Sequence, residues 1–339
     1  MTEAKAATFP GLTPPGVGPG LIWGFDLAEE QAIQIEAPDS PREGAPEGAL
    51  RWLHFVLANH ATRQWIERQD DLPEAVRELL LSSETHQRAL IDEGVIGCVF
   101  HDFERDFDIT STNRLGPLRI ALAPERIVTV RLHPMRCADV LRRRLTDGAA
   151  IDGPADALDL LVSVIAENAA QIGLALSAQV QAAEDALLDG REPPATREMI
   201  AIRRRLAQLH RMVDGMRRVI QRLEQDAELP GDVGPAVEQL AQHLQSIDGD
   251  ILAAQGQLRL LREEIEALEA QRTNQNLYIL SIVTALLLPA TLVTGIFGMN
   301  TGGLPFAEGP YGTLHATGMA AAAALATYLW LRWLGFMRR

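Results

Sequence analysis

Cysteine is scarce in this chain of 339 residues, which contains only Cys98 and Cys137. Two cysteines cannot build the framework of several disulfides that small secreted domains use, so we expect a reducing compartment. The sequence also contains no nucleophile elbow, P-loop, dinucleotide-binding fingerprint or H-E-x-x-H stretch. We therefore expect that the protein is not an enzyme and has no resident cofactor.

A signal-peptide core is also lacking near the start of the chain. The first twenty residues are rich in proline and glycine and contain no apolar run of the required length, about 7 to 15 residues. A segment of this composition cannot bury enough apolar surface to fold. We expect residues 1–19 to form a disordered arm that stays in the cytoplasm.

Basic residues are outnumbered, with 31 Lys and Arg against 45 Asp and Glu. This acidic surplus argues against nucleic acid as a partner. The mean hydropathy is nevertheless zero, so a strongly apolar segment must offset a polar remainder. No residue from 273 to 307 is charged, and three arginines and one glutamate give residues 273–339 a net charge of +2. Residues 1–272 therefore carry a net charge of −16, which together with the +2 of the remaining residues gives the total of −14.

Two apolar segments, residues 277–297 and 314–334, are long enough to cross a bilayer, which requires about 20 residues in a helix. A loop rich in glycine, residues 298–313, separates them. Two spans place both chain ends on the same side of the membrane. Arginines precede the first span and follow the second, so the positive-inside rule predicts cytoplasmic termini, with residues 335–339 as a basic tail.

The remainder of the chain divides into a mixed α/β domain, residues 20–153, and a helical region, residues 154–276. Turn sequences at 190–194 and 230–235 divide the helical region into three long helices. The second and third carry apolar seams at coiled-coil spacing, and the third has no stop signal before the first span. We predict strands at 21–27, 50–57, 95–103, 118–122 and 126–132, and shorter helices at 61–69 and 73–81.

A polar stripe follows one side of the first span. Its members occupy about one third of the helix circumference. Polar residues in a membrane helix face a bundle interior or an aqueous path, but hydroxyls that bond back to the preceding turn and glycines that allow close packing explain the stripe equally well. The stripe consists of Leu277, Ser281, Thr284, Leu288, Thr291, Gly295 and Gly298.

A pore interpretation of this stripe requires an oligomer, because two spans cannot enclose water. The stripe contains no Asp, Glu, His or Cys. A bare divalent ion would find no compensating charge there, so a permeating cation would move largely hydrated. In this interpretation Ser281, Thr284 and Thr291 line the path, while Leu277 and Leu288 narrow it.

The sequence PATLVTGIFGMNTGGLP, residues 289–305, surrounds the outer end of the first span. With Gly298, Met299 and Asn300 at this position and a second span close behind, the chain resembles the CorA superfamily of divalent-cation transporters. Close motif identity covers about residues 288–305, and the similarity of architecture covers the whole chain. The neutral amide oxygen of Asn300 suits this role, since it can bind the water shell of a cation without holding the ion tightly.

The residues after the motif distinguish two branches of the superfamily. Gly302, Gly303 and Pro305 are similar to the ZntB zinc-transporter branch, whereas Met299 is more typical of the magnesium branch. The ZntB resemblance implies a homopentamer in a bacterial inner membrane, with long helices forming a cytoplasmic funnel. It also implies proton-coupled zinc uptake, so that the partners are other copies of the chain, lipid, divalent ions and protons.

Two alternatives remain open at this point: a CorA-type Mg²⁺ or Co²⁺ channel gated by cytoplasmic metal, and a membrane-tethered coiled-coil scaffold without conduction. Glu308 in the outer loop could form a ring of charge at the pore mouth or be a solvated loop residue. His315 could add a zinc contact, but we expect it to be an interface residue at the start of a helix. Cys98 and His101 lie on opposite faces of a predicted strand and do not form a metal site.

Overall fold

The structure is a computed structural model that describes residues 20–28, 31–42, 48–105, 114–191, 194–299 and 311–335. The predicted N-terminal arm lies outside the described residues, as does most of the basic tail. The described residues form two compact units, the first extending to Arg259 and the second beginning at Leu260.

The first unit contains a seven-stranded sheet. The strands are β1 (Leu21–Ala28), β2 (Gln31–Gln34), β3 (Leu50–Val56), β4 (Arg88–Asp92), β5 (Val95–Phe103), β6 (Leu115–Ala123) and β7 (Arg126–Arg131). Their order in the sheet is β2-β1-β3-β7-β6-β5-β4, and only the central pair β3 and β7 is parallel. The buried strands β1, β3, β5 and β7 contain several β-branched or aromatic residues each, which suit a covered sheet, whereas β6 is buried through leucine, isoleucine and alanine.

Helices cover both faces of this sheet. The helices α1 (His60–Glu67) and α2 (Glu74–Leu81) pack on one face, where Ile66 and Leu79 share a core cluster with Val99 of β5. Residues at the alternate strand positions, such as Cys98, belong to the opposite face of the sheet and are buried as well. The helix α3 (Arg136–Thr146) contacts β5. The carboxylate of Asp102 accepts a 2.8 Å hydrogen bond from the Cys137 backbone N–H and so satisfies a donor at the start of α3.

Four longer helices follow: α4 (Pro154–Leu188), α5 (Thr196–Glu224), α6 (Gly234–Phe297) and α7 (Gly312–Trp333). The two predicted turn regions lie between α4, α5 and α6, which confirms the division into three long helices. α6 continues without a break over 64 residues, as the absence of a stop signal predicted. The fold class is also confirmed: an α/β domain is followed by long helices and then by two apolar helices at the C-terminal end.

Three short elements were not predicted from the sequence. β2 and β4 are the edge strands of the sheet, and neither has a buried residue in its span. Edge strands need no apolar alternation, so hydrophobic patterning does not reveal them. In α3 the charged run at 142–144 obscures an apolar face that includes Leu141 and Leu145.

Candidate functional site

Three helices are long and apolar enough to cross a membrane: α4, α6 and α7. They differ in how much of their apolar window the rest of the chain covers. In α4 the buried share is 44%, whereas it is 0% in α6 and 6% in α7. Much of the apolar side of α4, including Leu161 and Ile165, therefore belongs to the core of the first unit. In α6 and α7 almost none of the apolar window is covered, so their apolar surface still requires lipid or another copy of the chain.

The predicted polar stripe lies on an exposed side of α6. All seven stripe residues, from Leu277 to Gly298, are exposed, with Leu288 68% accessible. The half-buried residues of the same segment include Ile282, Leu286 and Val293. At about 100° per residue these positions lie on the opposite side of the helix from the stripe. Within the described part of the chain, nothing covers the stripe.

The threonine hydroxyls of the stripe donate to the preceding turn of α6. Thr284 Oγ1 lies 2.8 Å from the Leu280 carbonyl, and Thr291 Oγ1 lies 2.8 Å from the Leu287 carbonyl. A hydroxyl that donates its hydrogen still has lone pairs with which it can accept. Water bound to a cation directs its hydrogens outward, so these oxygens present acceptors to a hydrated cation. Back-bonding and a water-filled path are therefore compatible.

The C-terminal end of α6 closes with two backbone hydrogen bonds. The Gly298 N–H donates to the Thr294 carbonyl at 3.0 Å, and the Met299 N–H donates to the Ile296 carbonyl at 3.3 Å. Met299 is 54% exposed. Asn300 and Glu308, which carry the predicted roles of ion recruitment and mouth charge, lie outside the described residues. His315 in α7 bonds through Nδ1 to the Tyr311 carbonyl at 2.8 Å.

Metal-ligating side chains do not converge elsewhere: among the residues that the structure describes, no group of three or more His, Cys, Asp or Glu could hold a metal ion. Both cysteines are buried. Burial raises the pKa of Cys98 to about 12. Burial, followed by the negative charge of Asp102, raises the pKa of Cys137 well above its usual value. Both thiols thus stay protonated at neutral pH, and a protonated thiol is a poor metal ligand.

Sequence reasoning missed a polar connection between α5 and α6. His210 Nδ1 in α5 lies 2.6 Å from Asp248 Oδ1 in α6. Arg217 Nε is 4.0 Å from the second oxygen of Asp248, and the same guanidinium contacts Asp214 at 2.7 Å. These residues are scattered along the sequence without ligand spacing, so only the packing of the two helices reveals their association.

Comparison with known proteins identifies the family. A family model described as "CorA-like Mg2+ transporter protein" matches residues 47–334. The chain belongs to the CorA family. The resemblance expected from residues 298–300 is thereby confirmed. CorA is a family of transporters and not a class of enzymes, and with the apolar helices α6 and α7 it identifies this chain as a membrane protein.

Relatives of this CorA-family chain carry two names. "Zinc transport protein ZntB" of Pectobacterium atrosepticum is 26% identical over 271 residues, which cover 77% of this chain and 80% of that protein. "Divalent cation transporter CmaX" of Pseudomonas aeruginosa is 26% identical over 305 residues, which cover 85% of this chain and 89% of the relative.

Solved structures share the fold of this CorA-family chain. The full-length CmaX protein matches with a TM-score of 0.78 at 21% identity, covering 95% of this chain and 99% of that chain. The complete CorA magnesium transporter from Methanocaldococcus jannaschii gives a TM-score of 0.73 at 18% identity, covering 91% and 96%. For the ZntB cytoplasmic domain from Vibrio parahaemolyticus the TM-score is 0.58 at 16% identity, covering 75% of this chain and 99% of that domain.

Proposed function

We propose that this CorA-family divalent-cation transporter is a zinc transporter of the ZntB type. In this proposal a homopentamer in the bacterial inner membrane takes up hydrated Zn²⁺, coupled to protons, with both termini in the cytoplasm. The observation that carries the proposal is the exposed stripe on α6, which has hydroxyls, glycines and leucines but no formal charge.

The exposure of the stripe favours an assembly with the first span around a central axis. Back-bonding uses the hydroxyl hydrogens of Thr284 and Thr291 but leaves their lone pairs free, and lipid has no donor to offer them. An exposed face of this kind in a membrane helix therefore favours water or a partner helix as its neighbour. The half-buried side of α6 is already covered within the chain. Copies of the chain that direct their stripes inward would satisfy the hydroxyls with pore water. The number five comes from the family resemblance.

The proposed path begins outside α6 and follows the stripe inward. Asn300, with Gly298 and Met299, would recruit the hydrated ion, and Glu308 would concentrate cations at the mouth. Ser281, Thr284 and Thr291 would then accept hydrogen bonds from the water shell of the ion, while Leu277 and Leu288 would narrow the path. A neutral lining that binds weakly allows the ion to leave again.

Zinc is proposed as the cargo on two grounds. Relatives that cover more than three quarters of this chain at 26% identity are named zinc transport proteins. The sequence Gly302, Gly303, Leu304, Pro305 after the motif is also similar to the ZntB branch. Since the stripe has no acid or base, proton coupling would depend on water in the pore and not on a stripe side chain.

Uptake into liposomes tests the proposal. Purified protein is reconstituted, and influx of Zn²⁺, Mg²⁺ and Co²⁺ is measured with and without an inward proton gradient. We expect Zn²⁺ to enter fastest and the gradient to accelerate its entry. A preference for Mg²⁺ that does not respond to the gradient would reverse the assignment, and no flux of any metal would favour the scaffold.

A CorA-type Mg²⁺ or Co²⁺ channel is the second candidate. Met299 favours it, because this residue is more typical of the magnesium branch. In the liposome experiment a channel of this kind would pass Mg²⁺ faster than Zn²⁺, and its flux would not respond to the proton gradient.

A further inference from the structure

Arg119 is a buried arginine that has no acidic partner among the residues that the structure describes. It lies in the middle of β6 and is 3% exposed. It pairs in register with Val99 and Val130, which belong to the core cluster under α1 and α2, so its side chain lies on that face of the sheet. Nη2 donates to the Glu84 carbonyl at 3.1 Å, whereas Nε and Nη1 have no hydrogen-bond partner among the described residues.

Arg51 shows how this fold normally accommodates a buried guanidinium. It is 5% exposed, close to the value for Arg119. Its Nε and Nη2 each donate to a carboxylate oxygen of Asp26 at 2.7 Å. Its Nη1 donates to the carbonyls of Pro38 and Ser40 at 3.1 and 2.8 Å. Arg119 has similar burial but no counter-ion in the described part of the chain, and such an arrangement is costly unless something compensates the charge.

Further positive charge surrounds Arg119. Burial lowers the pKa of Arg119, and the charges of Arg88 and Arg63 lower it further. Arg63 is exposed on α1 and forms no ion pair with another described residue. The Glu84 carboxylate bonds to Arg88 and lies 3.7 Å from His86 Nε2. The Glu84 carboxylate thus pairs with Arg88, whereas Arg119 contacts only the Glu84 backbone carbonyl, which leaves a local excess of positive charge.

We propose that Arg119, together with Arg63 and Arg88, binds an oxyanion of the phosphate type. Nε and Nη1 hold three unused N–H donors and lie on either side of Nη2. An anion that replaces the Glu84 carbonyl at Nη2 meets the planar fork of Nε and Nη2, whose parallel N–H groups match the spread oxygens of a phosphate better than a single halide ion. The exposed segment 83–86 covers the site, and its Glu84 carbonyl is the group that Arg119 contacts. The anion would enter at this segment and accept the hydrogen bond that Nη2 of Arg119 now donates to the Glu84 carbonyl.

The ligand is either free phosphate or the terminal phosphate of a nucleotide, since both offer the same oxygens. The site lies on the α1 and α2 side of the sheet in the first unit, apart from the stripe on α6. It therefore does not depend on which ion the protein transports. A soluble cytoplasmic anion bound there would make the α/β domain responsive to a metabolite in addition to the transported metal.

The test measures binding to the full-length protein in detergent and without divalent metal. Sodium phosphate or ATP is added at about 10 mM to a chloride buffer of matched ionic strength, and Tm and calorimetric affinity are recorded. We expect the wild-type Tm to rise by at least about 2 °C. Arg119→Met should abolish the rise, and without added anion its Tm should equal or exceed that of wild type. The control Arg204→Gln, an exposed arginine on α5, should respond like wild type.

The comparison of sodium phosphate with ATP identifies which of the two ligands the site binds. Equal affinity for phosphate and ATP assigns the free anion, and at least tenfold tighter binding of ATP assigns the nucleotide. Arg63→Gln changes an exposed residue, cannot disturb the core, and should weaken binding about threefold. The proposal is wrong if wild type binds neither anion, if Arg119→Met responds as wild type does, or, should Arg119→Met not fold, if Arg63→Gln leaves the affinity unchanged.

Discussion

His54 is a neutral imidazole inside the sheet. Its ring stacks on Trp23 at 4.7 Å between centroids, and its Nδ1 lies 2.8 Å from Thr129 Oγ1. Nε2 has no hydrogen-bond partner within the described part of the chain. Burial, and then the charge of Arg131, lowers the pKa of His54 well below its usual value. The fold therefore excludes a proton that the unfolded chain accepts.

This exclusion predicts an acid-sensitive α/β domain. An unfolded histidine has a pKa of about 6.5, so the unfolded chain gains a proton below that pH while the folded chain does not. Stability should fall as pH decreases below about 6.5, by at most about 1.4 kcal/mol per pH unit. Thermal unfolding at pH 7.5 and 5.0 measures this loss. His54→Asn removes the titrating ring and should show a smaller loss; an identical loss would assign the effect to other groups.

The buried pair of Asp26 and Arg51 predicts a non-additive pair of substitutions. Arg51→Met leaves the Asp26 carboxylate buried without a counter-ion, which should destabilise the domain by about 3 to 5 kcal/mol. The double variant with Asp26→Leu removes both charges and should recover at least about 2 kcal/mol of that loss. Denaturant titrations of the wild type, the two single variants and the double variant measure the coupling. Additive effects would mean that the two charges act independently.

At the scale of one element, the stripe on α6 predicts the effect of removing a hydroxyl. Thr291→Val keeps the shape of the side chain and removes the acceptor oxygen, so it should reduce Zn²⁺ flux several-fold without changing protein yield. Thr327 in α7 is the matched control, because its hydroxyl donates to the Ala323 carbonyl at 2.9 Å in the same way and it lies on another helix. If Thr327→Val reduces flux as much as Thr291→Val, the stripe does not line the path.

The elements differ in how far the sequence predicts them. α6 and its apolar seam follow from periodicity and from the lack of a stop signal, both of which are local properties. The edge strands β2 and β4 carry no such signal. The charge pairs are less accessible still: Asp26 is 25 positions from Arg51, and His210 is 38 from Asp248. Only the sheet register and the packing of two helices bring these side chains together, so no spacing rule could find them.

At the scale of the whole molecule, the exposed stripe predicts which face of α6 meets its own copies. In a variant without Cys98 and Cys137, a cysteine at Thr284 should form disulfides between subunits on mild oxidation, because stripes of neighbouring copies meet at the axis. A cysteine at Leu286, on the half-buried side, should not. Denaturing electrophoresis shows the linked species. Disulfides through position 286 but not through position 284 would mean that the stripe faces lipid, which would contradict a pore.

The single parallel pair of the sheet constrains how this protein is made. β1, β2 and β3 join the rest of the sheet only where β3 meets β7, at residues 126–131. Until those residues leave the ribosome, no strand pairing joins the two parts of the sheet. The growing chain then holds an early fragment of β1, β2 and β3 and a later meander of β4, β5 and β6. The sheet can become one body only after Arg131 has been synthesised, so its completion is timed by the order of translation.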